Sequence, residues 1–519
     1  MKKSTLLALL FLCSLLFIFL AQKINLPAAD LGRHIKNGEI FLHAGEYGVS
    51  RTALLHTNFF SYTYPDFPFI NHHWGSGIGM YLVFLLFGWI GLSLAYIVIM
   101  LGAFTLLFLL TKDKTPLYAS IPLSIFLIPL IAERVEVRPE VLSYFFIALW
   151  IYILTRFSEN KLPKKFLYAL PLITILWVNS HIYAIFSPLI IGTFICQALI
   201  HRDGEKVKAL LALFGLSSLA LLVSPYGLSG ALYPFMIFNN YGYLVAENQS
   251  IPFLQKLNFI NPNFLWWKLG AGVALLGSLW ALKKNMCAFP IALGLMTFAF
   301  GGLSFFGIRN LTLFGFILLP FLSVLLGIFF KEIDASNEKR EVAWAWSLII
   351  SLLLLIFVCV RFSNKLPGTP RWGLGLLPGN ISSVTFVKET GIQGPFFSNY
   401  DIGGMLIYSL YTPLRKEKVF VDNRPEAYPK EFFSDTYIPM QENTELWTKK
   451  AQEYNFNAVW FYRLDSTPWA QNFLISLIKN TQWAPVFVDN YTIIFLKRTP
   501  QNEELIKKFE LPQSMFTTR

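Results

Sequence analysis

The sequence is short of charge. Only 14% of its 519 residues are Asp, Glu, Lys or Arg, while 55% are hydrophobic. A soluble globular protein carries about 25% charged residues, so the composition excludes a wholly soluble chain and reads as an integral membrane protein. Acid is scarcer than base, 31 residues against 43, for a formal net charge of +12. That excess does not mark nucleic-acid binding. The basic residues are scattered at the ends of apolar segments, as in cytoplasmic loops, rather than gathered in a patch. Cysteine is rare. Cys13, Cys196, Cys287 and Cys359 sit in or beside apolar runs without metal-ligand spacing, need no disulfide, and say nothing about redox compartment. Repeats and low-complexity tracts are lacking. The apolar runs are themselves nearly free of charge, which counts against a transporter or flippase with ionisable groups deep in its spans.

What is there is a series of apolar runs near the roughly 20-residue length that crosses a bilayer. They predict about eleven spans, at 4–21, 90–111, 116–132, 140–156, 165–179, 182–200, 207–224, 264–282, 287–304, 310–330 and 342–362. Aromatics at 17%, with 50 Phe, suit lipid-facing helices and interfacial belts. The basic start and first apolar run read as a signal-anchor helix that is retained, since no clear small-residue cleavage site follows. The segment 74–110 is too long for one helix and is split at Phe87-Gly88 into an interfacial helix and a span.

Loop charge sets the orientation. Lys2 and Lys3, Lys112 and Lys114, Arg156 to Lys165, Arg202 to Lys208, Lys283 and Lys284, and Lys331 to Arg340 alternate with short loops holding fewer basic residues. The N-terminus is then cytoplasmic, in a multi-pass protein of a bacterial cytoplasmic (inner) membrane. The division expected is a transmembrane module over 1–362 with a long first exoplasmic loop at 22–89, a Gly/Pro linker at 363–380, and an exoplasmic α/β domain at 381–519. Within that domain strands are predicted at 394–398, 418–422, 458–462, 485–488 and 492–497. Helices are predicted at 403–410, 447–454 and 472–479. Asp489-Asn490 reads as a hairpin turn whose residues tolerate positive φ.

The first loop concentrates the chemistry, with five of the seven histidines: His34, His43, His56, His72 and His73. Asp30 suits a general base at the membrane surface, its pKa lifted by partial burial. It equally suits an N-cap opening a helix at 31–37 that Gly38 would stop. His34, four residues on, would share its face. His72 and His73 invite a metal or phosphate, but adjacent side chains point apart on most backbones, which disfavours a two-histidine metal site. Trp74 beside them fits an interfacial belt.

Later loops add Glu133-Arg-Val-Glu-Val-Arg-Pro-Glu140. There Arg134 and Arg138 could fork onto a lipid phosphate, or simply pair with Glu133 and Glu136. Pro139 and Glu140 also fit the first turn of a helix. Trp177-Val-Asn-Ser-His181 places Asn179 and His181 between two spans. Arg309 opens a span, and Glu247 offers a further carboxylate. These candidates come from separate loops, all on one face of the membrane.

The set Asp30, Arg33-His34 and Gly38, then Asn58-Phe-Phe-Ser-Tyr-Thr63 and Phe69-Ile-Asn-His-His-Trp74, resembles a large family of bacterial multi-spanning membrane proteins, mostly uncharacterised. Arg138-Pro-Glu140, Trp177-Val-Asn179 with His181, Pro225-Tyr-Gly227, Glu247-Asn-Gln-Ser250 and Arg309-Asn310 match its later landmarks. So do Ser398-Asn-Tyr-Asp-Ile-Gly-Gly404 and Val419-Phe-Val-Asp-Asn-Arg424. That family is similar to the GT-C glycosyltransferases, which take sugars from polyprenyl phosphates.

The resemblance implies an α-helical polytopic GT-C-like membrane module with helices in its first loop, plus a small C-terminal α/β domain. It implies an inverting glycosyltransferase with Asp30 as the catalytic base. Arg33, His34, His72, His73, Arg134, Arg138, Glu140, Asn179, His181, Glu247 and Arg309 would bind substrate. The implied partners are a polyprenyl-phosphate-linked sugar, a glycan, lipid or protein acceptor, and the bilayer. The pattern usually has Glu at position 73 and Asp at 58, where this chain has His73 and Asn58. The second carboxylate of a metal site is thereby lost; no cofactor is expected, with a divalent cation left open but without support. An oligosaccharide ligase or polymerase, a transporter or flippase, and a non-catalytic membrane-anchored binding protein stay open as alternatives.

Overall fold

The structure is a computed structural model that describes residues 2–285, 288–331 and 337–516; Cys287, and with it the first residue of the predicted 287–304 span, lies outside the described residues. Helices occupy all eleven predicted apolar segments. Among the described residues seven helices are long and apolar enough to cross a membrane. Two shorter apolar helices, Leu117–Ile131 and Ile291–Phe306, join them. The predicted spans at 165–179 and 207–224 form helices of 10 and 17 residues, Ala169–Val178 and Gly204–Ala220. The long helix Trp74–Lys114 is broken at Gly88, where φ is 61° and ψ −157°. A side chain rarely adopts that conformation, and the break separates the two pieces expected there.

The chain forms two compact units. The first comprises Met1–Gln22, Ser93–Ala231 and Val245–Leu374. Its centre is the helix Leu311–Phe330, whose apolar residues are mostly buried; the helix Asn337–Arg361 keeps most of its apolar surface outward. Small residues let the central helix approach its neighbours, as membrane helices require. A Cβ on Gly315 would lie 2.9 Å from Leu130 Cβ, and one on Gly270 would lie 2.8 Å from Leu318 Cδ2.

The second unit comprises Lys23–Leu92, Leu232–Leu244 and Gly375–Arg519. It holds a four-stranded sheet of β1 (Phe396–Ser398), β2 (Ala458–Tyr462), β3 (Trp483–Val488) and β4 (Thr492–Lys497), in the order β1-β2-β4-β3. β1 pairs with β2 in parallel; the other pairs are antiparallel. All five residues of β2 are buried, which fits a strand covered on both faces. The first loop folds into the same core. Leu26, Ile40, Tyr47, Leu54 and Phe60 pack with Ile402, Met405, Leu406 and Leu410.

Three local expectations are corrected. Gly38 does not stop the first-loop helix, which runs Leu31–Leu42. The glycine serves a crossing instead: a Cβ there would sit 2.2 Å from the Gly77 carbonyl oxygen. The predicted strand at 418–422 is not in the sheet. Val419 makes an isolated bridge with Ser61, donating its N–H to Phe60 O at 2.9 Å while its carbonyl accepts from Tyr62 N at 3.1 Å. The apolar run pairs with loop backbone, so no ladder propagates. The Asp489-Asn490 turn uses no positive φ. The Asp489 carboxylate accepts from the N–H groups of Tyr491 (2.8 Å) and Thr492 (2.7 Å), an Asx turn.

The Gly38 crossing gives a stability prediction. Gly38→Ala should cost about 1–3 kcal/mol by overpacking backbone that cannot move aside. Gly45→Ala, with nothing within 4 Å of its added Cβ, should be close to neutral. Thermal melting of the two variants in detergent checks this; equal melting temperatures would contradict it.

Candidate functional site

The first-loop candidates gather in the second unit around the helix Leu31–Leu42. A 3-10 turn at Leu26–Ala28 delivers Asp30 to its start. Asp30 already has helical backbone angles, and its side chain makes no capping hydrogen bond. Asp30 thus stands at the N-cap position expected of it, but its carboxylate lies along the helix face instead of capping. Its Oδ2 is 3.4 Å from His34 Nε2 and 3.8 Å from Arg33 Nη2. Arg33 and His34 are buried, while the Asp30 side chain keeps 17% exposure. A carboxylate half-withdrawn from water beside a guanidinium and an imidazole can accept a proton and remain reachable.

His34 packs edge-on to His73, with ring centroids 5.0 Å apart. His72 and His73 do not point apart: their centroids are 3.9 Å apart. The chain turns here, Trp74 N donating to Asn71 O at 3.2 Å, and the turn puts both rings on one side. His72 Nδ1 donates to Ile70 O at 3.1 Å, which fixes its tautomer. Behind this group Arg424 forks onto Asp422, Nε to Oδ1 at 2.7 Å and Nη2 to Oδ2 at 2.5 Å. Its Nη2 also donates to Asn58 Oδ1 at 2.7 Å. Position 58 thus supplies an acceptor without adding a second negative charge to the one on Asp422. Burial, with Arg424 close by, lowers the Arg33 pKa, against Asp30, Asp422 and Glu426, which raise it. Burial pushes the Glu426 carboxyl up, although Arg33 and Arg424 draw it back.

The remaining candidates lie in the first unit. Arg134 donates from Nε to Glu140 Oε1 at 2.5 Å and from Nη1 to Glu247 Oε2 at 2.7 Å. Arg138 pairs with Glu136 at 2.8 Å and with Glu247 at 3.2 Å. Arg309 lies 3.6 Å from Glu140 and donates to Asn248 Oδ1 at 3.0 Å. Three guanidiniums therefore meet Glu136, Glu140 and Glu247. The expected Arg134–Glu133 pairing is not the one formed: Glu133 accepts from Asn261 (2.6 Å) and Asn263 (2.5 Å). Burial would raise the Glu247 carboxyl, but Arg134, Arg138 and Arg309 outweigh it and hold the group well below the usual carboxylate range.

His181 Nδ1 accepts from Ser143 Oγ at 2.8 Å and from Tyr183 N at 3.3 Å, and Trp177 Nε1 donates to the same serine oxygen at 2.8 Å. Asn179 Nδ2 donates to Ile175 O and Val223 O, both at 2.8 Å, holding backbone.

Sequence reasoning passed over Asn37, Glu426 and the Asp422–Arg424 pair as site residues. Asn37 was within reach of the helical pattern, four residues beyond Arg33. Glu426 carried no local signal. Among the described residues no three His, Cys, Asp or Glu side chains are grouped to hold a metal ion.

No protein-family profile matches the chain, and no curated protein matches it in sequence. Solved structures do match. The oligosaccharyltransferase of Archaeoglobus fulgidus in its apo form aligns with TM-score 0.62 at 11% identity, over 96% of this chain and 75% of that one. The same archaeal enzyme, AglB, in complex with an inhibitory peptide and a dolichol-phosphate aligns with TM-score 0.61 at 12% identity and the same coverage. The fold is GT-C-like. ArnT from Cupriavidus metallidurans overlaps at TM-score 0.49 with 13% identity, over 95% of this chain and 98% of that one, too weakly to add to this.

Within this GT-C-like fold the Glu247 hub makes a prediction. Breaking one side of a buried ion pair costs about 3–5 kcal/mol; Glu247 keeps 20% of its side chain exposed, so Glu247→Gln should lower thermal stability by less than that. The folded-state pKa is depressed, so the stabilisation is present above the unfolded value of about 4.3. It is lost as pH falls through the folded value. Melting curves of parent and variant should therefore differ at neutral pH, start to approach each other below about pH 4 and meet only well below it; a gap that does not change with pH would contradict the assignment.

Proposed function

We propose that the chain is a membrane glycosyltransferase that moves a sugar from a polyprenyl-phosphate donor to an acceptor hydroxyl at the exoplasmic face of a bacterial cytoplasmic membrane. The observation that carries this reading is Asp30: a carboxylate not spent on capping, 3.4 Å from buried His34, in a chain that shares the fold of an enzyme solved with a dolichol-phosphate. Loop charge supports the orientation.

The chemistry follows. The acceptor hydroxyl loses its proton to Asp30, and its oxygen bonds to the anomeric carbon. The bond from that carbon to the phosphate oxygen breaks, the electron pair leaves with the phosphate, and the configuration inverts. Arg33 and His34 orient the carboxylate; His72 and His73 position oxygens of the substrate. For the first unit we assign Arg134, Arg138 and Arg309 to an anionic lipid phosphate, with Glu140 and Glu247 as their supports; Asn179 and His181 are assigned to binding the same substrate. Arg134 Nη2 and Arg309 Nε are buried without a partner there, and a phosphate would share guanidiniums now held by Glu140 and Glu247.

Asp30→Asn keeps the shape and removes the base. Turnover of radiolabelled undecaprenyl-phosphate sugars by the purified protein should fall by about 10²–10⁴-fold, the range for a lost general base. The melting temperature should stay close to the parent's. Full activity in this variant would overturn the assignment.

A further inference from the structure

The helix Leu31–Leu42 buries more hydrogen-bonding capacity than its surroundings use. Asn37 is only 3% exposed, and neither its amide oxygen nor its amide nitrogen has a partner. Arg33 is as deeply buried, and its Nε is unpartnered. A buried polar group without a partner costs free energy comparable to a lost hydrogen bond, so each such group calls for an explanation. These two belong together. Asp30, Arg33 and Asn37 are spaced three and four residues apart, which puts them in one stripe along the helix. The amide therefore follows the Asp30 carboxylate by about two helical turns. The Asn37 Cβ is 3.6 Å from the position a Cβ on Gly77 would take, just beyond the His72-His73 turn.

The chemistry of these groups selects their ligand. A phosphate offers acceptors at neutral pH and would leave the Asn37 oxygen unmet. An apolar chain would leave both amide atoms unmet. A hydroxyl both donates and accepts. Two neighbouring hydroxyls on a ring can give a hydrogen bond to the amide oxygen and take one each from the amide nitrogen and Arg33 Nε. We propose that Asn37 and Arg33 form a sugar-reading subsite that binds adjacent hydroxyls of the glycosyl group and sets specificity for them. The proposal rests on the glycosyl-transfer reading of Asp30.

The test uses the full chain in detergent and two readouts on Asn37→Leu, which keeps the branched heavy-atom shape, with Asn37→Ala beside it to separate the added bulk of the methyls from the loss of the amide. The first is the melting temperature without ligand. A group held for a ligand is a burden to the unliganded fold, so the variant should melt above the parent. The second is the shift in melting temperature caused by undecaprenyl-phosphate carrying glucose, galactose, mannose or arabinose. Any shift shown by the parent should be lost in Asn37→Leu and kept in Asp30→Asn, because a base is not needed for binding. A variant that melts below the parent overturns the proposal, since the amide is then part of the fold's own bonding. So does a variant that keeps the parent's sugar shift, and so does a parent that responds to none of the four sugars. If Asp30→Asn transfers sugar at the parent rate while Asn37→Leu loses the shift, the base assignment fails and the subsite stands.

Discussion

The second unit depends on backbone meeting backbone at glycine. The helix Leu31–Leu42 carries Arg33, His34, Lys36 and Asn37 in buried positions, a set that would normally hold a helix at the surface. It stays inside because its glycines leave no gap. A Cβ on Gly32 would lie 2.6 Å from Gly404 O, one on Gly38 2.2 Å from Gly77 O, and one on Gly404 2.8 Å from Ala29 O. At such separations no water fits between the backbones at these glycines; the polar side chains are met by protein or by a ligand. Lys36 finds protein: it donates to Glu39 at 2.7 Å and to Tyr47 Oη at 3.3 Å. Asp30, Arg33 and His34 find one another.

How much of this was legible depended on the range of the cause. Helices over the apolar segments, the helix Gly403–Leu410 and the strands β2 and β4 follow from local pattern, and they were predicted to within a few residues. Reading failed where a distant contact overrode a local rule. Gly38 looks like a helix stop until Gly77 is found against it. The run at 418–422 looks like a strand, yet its partners are Phe60 and Tyr62 in a loop more than 350 residues earlier. Asp30 looks like a cap, but its carboxylate is drawn along the helix by Arg33 and His34. The pairing of Arg134 with Glu247 joins positions 113 apart, and no spacing rule reaches that far.

The two polar clusters solve burial differently. In the first unit the charges close on themselves: Arg134, Arg138 and Arg309 are matched by Glu136, Glu140 and Glu247, with no net charge among the six. Removing an ion from water is costly, and such a network persists only when each charge has a close counter-ion. Its depressed Glu247 pKa is the mark of that closure. The cluster is therefore a structural knot joining three segments of the first unit.

In the second unit the accounting does not close. The Arg424 fork satisfies Asp422 and uses the oxygen of Asn58, but the Asn37 amide and Arg33 Nε remain without protein partners. Evolution tolerates such groups where a substrate supplies what the fold does not. Glu426 fits the same pattern: burial raises its pKa even with Arg33 and Arg424 near, so the positive charge around it falls short of full compensation. An apolar replacement at Asn37 would remove an unmet group from the core, and stability alone would favour it. That the helix keeps Asn37 and Arg33 in one stripe with Asp30 is the pattern the proposed subsite accounts for.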